Sequence, residues 1–202
     1  MIVRCQQGEA KRAGGMHRGT DRMRQNAAVI LVMGPSGVGK STIARGLAER
    51  LALGFIEADD FHPTENKALM ARGIPLTDGH RWGWLDALAA EALRHDGPSV
   101  LACSALRRTY RDRLRGHLSP MPIINLAADA ELLMQRVADR ADHYMPPSLV
   151  QSQLDTLEPP VEPELALTLS AFDSPEQIIG QAAAFAAEHI DLRKSFTVKT
   201  AS

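Results

Sequence analysis

The sequence predicts an α/β fold in which a parallel β-sheet is flanked by helices, and three observations predict it. Short apolar runs alternate with segments of helical periodicity from Ala27 onward, the order that builds parallel strands joined by crossover helices. The first run passes into a glycine-rich loop and then an amphipathic stretch. Charged residues gather just after the second and third runs, at the strand ends where open α/β sheets bind their ligands.

Taken in order, the predicted strands are residues 28–33, 54–58, 99–103, 122–126 and 165–169. Between the first two, Ile43, Leu47 and Leu51 recur every four residues and give a helix one buried stripe. Leu85, Leu88 and Ala92 do the same within residues 78–95. The last helix opens with Ser174, Pro175 and Gln177, which are a cap, a proline at the first helical position and a reciprocal capping residue. It then buries Ile178, Ala182 and Phe185. Prolines at 146–147 and within 158–163 bracket a short helical stretch, residues 148–157, and mark a segment hinged at both ends.

This reads as one domain over residues 27–190, with a lid at about 140–162 and a tail over 191–202. A chain of 202 residues buries roughly 70% of its unfolded surface without staples. Residues 1–26 carry basic charge, four glycines and no apolar periodicity, so they read as a disordered extension or as sequence upstream of a start at Met16 or Met23. No function is assigned to them. Cys5 and Cys103 are too few and too badly placed for a disulfide framework or a four-ligand zinc site, which points to a reducing compartment and so to the cytoplasm. With 23 basic and 24 acidic residues, no global field draws in nucleic acid or an anionic membrane. Any anion must be bound locally. No apolar run approaches the ~18 residues that span a bilayer, and the run after the basic extension serves better as a buried strand than as a secretory signal.

Residues Gly34, Pro35, Ser36, Gly37, Val38, Gly39, Lys40 and Ser41 fit G-x-x-x-x-G-K-[ST] between a strand and a helix, the context that confirms a phosphate-binding loop. Its glycines let successive N–H groups turn inward as an anion nest at a helix N-terminus. Lys40 can follow the β- and γ-phosphates of ATP, the Ser41 hydroxyl can hold Mg²⁺, and Thr42 completes the nucleotide set. Glu57, Asp59, Asp60 and His62 arrive together at the second strand end. Alternation puts Glu57 and Asp59 on one face, so one carboxylate can orient the Mg²⁺ shell while the other accepts a substrate proton. Asp60 reads as a cap for the helix that opens at Pro63.

Arginines supply the complementary charge. Arg107 and Arg108 follow the third strand, and Arg81 lies at the start of a helix; each offers a planar fork for a carboxylate, although a surface salt bridge is the usual fate of an arginine. Arg136 and Arg140 stand four apart on a predicted helix before the bracketed segment, where cations could neutralise a transferring phosphoryl group. Cys103 reads as a small core residue, and His143 and Tyr144 lack partners at zinc spacing.

With these elements in place, the sequence resembles the gluconokinases of the small phosphate-loop type, related more distantly to shikimate and adenylate kinases. The resemblance runs from Val29 to about Pro160. It is carried by residues 59–63 with Asn66, residues 73–78 with Arg81 and Trp84, residues 103–107 with Tyr110, Arg111 and Asp112, and residues 143–147 with Ser152, Gln153, Leu157 and Glu158. It implies a three-layer kinase sandwich, a five-stranded parallel sheet in the order 2-3-1-4-5 with a mobile lid. It also implies Mg²⁺- and ATP-dependent phosphorylation of the terminal hydroxyl of D-gluconate, and it suggests a homodimer. By matching position, Asp59 contacts and deprotonates the sugar hydroxyl, Arg81 and Arg107 meet the gluconate carboxylate, His62 meets a hydroxyl, and Arg136 and Arg140 are lid arginines. Two positions depart from the pattern: Glu57 stands where aspartate is general, and Arg107 where lysine is common.

Two rival readings compete with this one. A kinase for another small hydroxy acid such as shikimate would need a triple-glycine turn where Cys103, Ser104 and Ala105 stand. A catalytically silent ATP-binding switch would need a damaged catalytic set, yet Lys40, Ser41, Asp59 and the lid arginines are all present.

Overall fold

A computed structural model describes residues 28–138 and 147–191. The extension 1–26, the tail beyond Asp191, and Arg140, His143 and Tyr144 lie outside the described residues. Five strands, β1 (Val29–Met33), β2 (Gly54–Glu57), β3 (Ser99–Ala102), β4 (Ile123–Ala127) and β5 (Ala166–Ser170), form one parallel sheet in the order β2-β3-β1-β4-β5. Each strand lies within one residue of the sequence expectation. The central strand shows why: all five side chains of β1 are fully buried, and a strand covered on both faces reads as an unbroken apolar run.

Alternation along β1 divides the core. Ile30 and Val32 face one layer with Ile43, Ala44 and Leu47 of α1 (Lys40–Leu51) and Ile178, Ala182 and Ala186 of α7 (Pro175–His189). Val29, Leu31 and Met33 face the other, with Leu85 and Leu88 of α3 (Asp78–Ala92) and Leu114 of α4 (Arg108–Arg115). The helices α2 (Thr64–Ala71), α5 (Ala130–Ala138) and α6 (Pro147–Thr156) complete the chain. The α7 cap forms as expected: Gln177 N–H donates to Ser174 Oγ, and Ser174 N–H donates to the Gln177 side chain. No described helix is long and apolar enough to cross a membrane.

Two local expectations change. The strand ends at Glu57 and residues Ala58–Phe61 form a 3₁₀ turn, so the period-two alternation does not carry through to Asp59. Asp60 belongs to that turn, while Pro63 occupies the N-cap position of α2. Proline has a fixed φ and no N–H to satisfy, which suits the entry to a helix without a side-chain cap.

Candidate active site

The phosphate loop leaves β1 and enters α1 at Lys40, with Gly34, Gly37 and Gly39 all at positive φ. At Gly34 the φ is 140°, and a Cβ would lie 2.7 Å from the Leu126 carbonyl oxygen, so glycine is required on two grounds. Lys40 Nζ donates to the Pro35 carbonyl at 3.0 Å, folding the lysine back across its own loop.

A cleft of about 520 Å³ opens over this loop. Lys40 and Ser41 line it from one side and Asp59, Asp60 and His62 from another, joined by Arg81, Trp84 and Tyr110. The predicted cation and the predicted carboxylate therefore share one space. Asp59 projects into solvent, its side chain 79% exposed. His62 lies beneath it, stacked on Trp84 with ring centroids 4.1 Å apart and Nε2 3.9 Å from Asp59 Oδ1. Trp84 Nε1 in turn donates to the Ala58 carbonyl at 2.8 Å, pinning the turn that carries Asp59. Burial pushes the His62 imidazole below its ordinary value, the Asp59 charge opposing and Lys67 and Arg81 assisting. His62 is thus neutral near pH 7.

A second network sets the acceptor end. Asp78 accepts both Arg107 Nη1 contacts, at 3.1 and 3.0 Å, and the Tyr110 hydroxyl. Arg81 Nη1 donates to Tyr110 Oη at 3.2 Å and to the Leu76 carbonyl. Burial and then the bond to Asp78 raise the Tyr110 phenol, which keeps it protonated as a donor. Arg81 lines the cleft. Arg107 spends Nη1 on Asp78 and stands outside the described lining of the cleft, next to the wall formed by Arg81 and Tyr110. Glu57 is likewise absent from the lining, because the strand ends there and the turn carries only the later carboxylates inward.

Arg136, on α5 before the bracketed segment, turns toward the phosphate loop and the loop after β5. Its Nη1 donates to the Val38 carbonyl at 3.2 Å and its Nη2 to the Ala171 carbonyl at 2.8 Å. There it lines a second recess of about 300 Å³ with Gly37, Gly39, Thr42, Asp173 and Pro175. Gly37 and Gly39 border both spaces, so the phosphate loop is the partition between them. Helical spacing placed Arg136 on a face; it could not say that the face turns toward the loop after β5. Tyr110 and Asp78 carried no assigned role in the sequence, though both stand within the strings that bear the resemblance.

Cys103 is buried in the core layer that β1 shares with α3, one residue before Ser104 of the cleft lining. Burial pushes its thiol up to about 12, with a backbone hydrogen bond at Ala105 opposing and the charges of Asp59, Lys40 and Glu57 all felt there. A thiol so held stays protonated and is no nucleophile.

Comparison with known proteins places this geometry among relatives. The model of the AAA domain family matches residues 29–160. A Schizosaccharomyces pombe protein named "Probable gluconokinase" is 43% identical over 159 residues, covering 74% of this chain and 82% of the relative. A gluconokinase of Gluconobacter oxydans is 42% identical over 154 residues, covering 74% of this chain and 86% of its own. Among solved structures, a gluconokinase from Sinorhizobium meliloti superposes with a TM-score of 0.72 at 40% identity, covering 82% of this chain and 94% of that one.

Proposed function

The chain belongs to the AAA domain family and, within it, to the gluconokinases, and from that premise we propose that it transfers the γ-phosphoryl group of ATP to the terminal hydroxyl of D-gluconate. The observation that carries the reading is the shared cleft, where Lys40 and Ser41 meet Asp59, His62 and Arg81. Phosphates lie in the nest of loop N–H groups, with Lys40 as the mobile countercharge. A Mg²⁺ ion borne on those phosphates would suit the Ser41 hydroxyl, since magnesium keeps much of its water and needs few protein ligands. It supplies charge neutralisation on the transferring group.

The gluconate carboxylate is met by Arg81, held in place through Tyr110 and the Asp78 network, while neutral His62 and exposed Asp59 address hydroxyls. Asp59 accepts the proton of the terminal hydroxyl as its oxygen bonds to phosphorus. The bond from phosphorus to the bridging oxygen breaks, and ADP carries away that electron pair. Arg140, outside the described residues, retains its proposed role in neutralising the phosphoryl group.

The second recess takes the adenine, because it opens across the loop from the phosphates and borders Gly37 and Thr42. Arg136 then belongs to nucleotide binding rather than to phosphoryl transfer. Arg136→Ala is expected to raise the KM for ATP about tenfold, the loss of a few polar and packing contacts, with the KM for gluconate within twofold. Equal losses toward both substrates would return Arg136 to the chemistry.

The substrate assignment is tested by offering Mg·ATP with gluconate, shikimate or glycerate while ADP and sugar-acid phosphate are followed. Gluconate is expected to drive turnover. Faster turnover with either other acid overturns the assignment.

A further inference from the structure

Gln153, in the middle of α6, spans 117 residues of sequence to meet Ser36 of the phosphate loop. Its Oε1 accepts the Ser36 backbone N–H at 2.7 Å, and its Nε2 donates to Ser36 Oγ at 3.1 Å. Both ends of one amide are thus matched to two groups of one residue. Glutamate would lack the donor, and asparagine would be a methylene short. The same helix places Ser152, Gln153 and Thr156 in the cleft lining that Lys40 and Asp59 share.

The rest of α6 is tied to the body of the protein. Val150 is 1% exposed within the core layer of α1 and α7, and past the helix Glu158 N–H donates to the Leu106 carbonyl at 2.9 Å. Gln153 carries the attachment between these two anchors to the loop that holds the phosphates. That contact joins two parts of the cleft lining, so it bears on how closely α6 can cover a phosphoryl group held by the loop. Water is the competing acceptor there, and a wall held in place excludes it.

Resting on the kinase reading above, we infer that Gln153 is a positioning residue. Through Ser36 it fixes α6 over the phosphate loop so that the sugar-acid hydroxyl, and not water, receives the phosphoryl group. It touches neither reacting oxygen in this role. Its effect is read as coupling, the sugar-acid phosphate formed per ADP released.

Gln153→Ala is expected to lower kcat with gluconate about tenfold, the equivalent of one to two net hydrogen bonds, and to leave the KM for ATP within threefold. The coupling ratio should fall from near unity to below about one half, since water attack is not slowed in step. Ser36→Ala, which keeps the N–H and loses the hydroxyl, should fall between wild type and Gln153→Ala. The double variant should be no worse than Gln153→Ala, because the two side chains act as one pair. Gln153→Asn, a methylene short of both Ser36 groups, should fail to rescue. An undiminished coupling ratio in Gln153→Ala, or losses that add in the double variant, overturns the inference. Should Gln153→Ala not fold, Ser36→Ala removes only one oxygen and must still lower the ratio. A wild type that gluconate does not stimulate defeats the substrate assignment alone; the same cycle on the acid that does turn over then decides the role of Gln153.

Discussion

Asp59→Asn is expected to lower kcat at least ~10²-fold while leaving ATP affinity within about threefold, as loss of a general base from an otherwise intact site does. Asparagine matches aspartate in shape, and the Asp59 side chain is 79% exposed, so no packing is disturbed. What holds the residue is the backbone turn at 58–61, secured by the Trp84 bond to Ala58, and that bond is untouched. The change therefore removes a proton acceptor and little else. Steady-state kinetics with gluconate, together with equilibrium binding of a fluorescent ATP analogue, separate the outcomes. A parallel loss of nucleotide affinity would assign Asp59 to the metal shell instead.

The largest effect on stability is expected at a buried ion pair behind the cleft wall. Arg111 is fully buried and its partner Glu164 has a side chain 1% exposed. The two meet in a bidentate fork, Nε to Oε1 at 2.8 Å and Nη2 to Oε2 at 2.7 Å. The remaining Arg111 nitrogen donates to the carbonyls of Ala105 and Leu106 at 3.2 Å and Glu158 at 2.9 Å. Ala105 has a φ of 39°, a left-handed backbone unusual for alanine, so part of this bonding holds a strained loop beside the cleft. Arg111→Met deprives Glu164 of its bidentate partner, leaves it Arg115, and takes a donor from three carbonyls, of which that of Leu106 keeps the Glu158 N–H. A cost of about 3–5 kcal/mol is expected, or roughly 10 °C in Tm for a domain of this size. A thermal melt within 3 °C of wild type would refute it.

The same pair makes acid unfolding legible. Burial by itself would raise the Glu164 carboxyl, but hydrogen bonds from Arg111 and Arg115 outweigh it and bring the group down to about 2. The carboxylate thus binds a proton less readily when folded than when unfolded. Its stabilisation is complete above the ordinary carboxylate range and is lost as pH falls from there toward 2. Glu164→Gln should flatten the wild-type loss of stability over that window, measured by denaturant melts at successive pH values.

Much of the fold was legible because buried parallel strands and amphipathic helices write their burial locally. β1 is apolar at every position, and Ile43, Leu47, Leu85 and Leu88 mark their helices' inner faces. The phosphate loop was legible because its chemistry needs fixed residue types at fixed spacing. The wall of the site was harder to read. Arg107 looked like a ligand for a carboxylate, and the carboxylate it meets is the chain's own Asp78, 29 residues away. Arg136 pointed to the second recess, Glu164 reached Arg111 across 53 residues, and Gln153 reached Ser36 across 117. Periodicity reports which side of an element is inward. It carries no information on which distant polar group waits there, and polar pairs have no repeating pattern to betray them.

The order of the strands has a further consequence. The residues proposed to choose the alcohol follow β2 and β3, on one flank of the central strand, whereas those proposed to hold the adenine beyond the phosphate loop follow β4 and β5 on the opposite flank. Recognition of what is phosphorylated and of what pays out the phosphate is therefore inscribed on separate halves of the molecule. Such a scaffold is free to exchange one sugar acid for another through changes in the 59–81 and 104–110 segments while its appetite for nucleotide stays as it was.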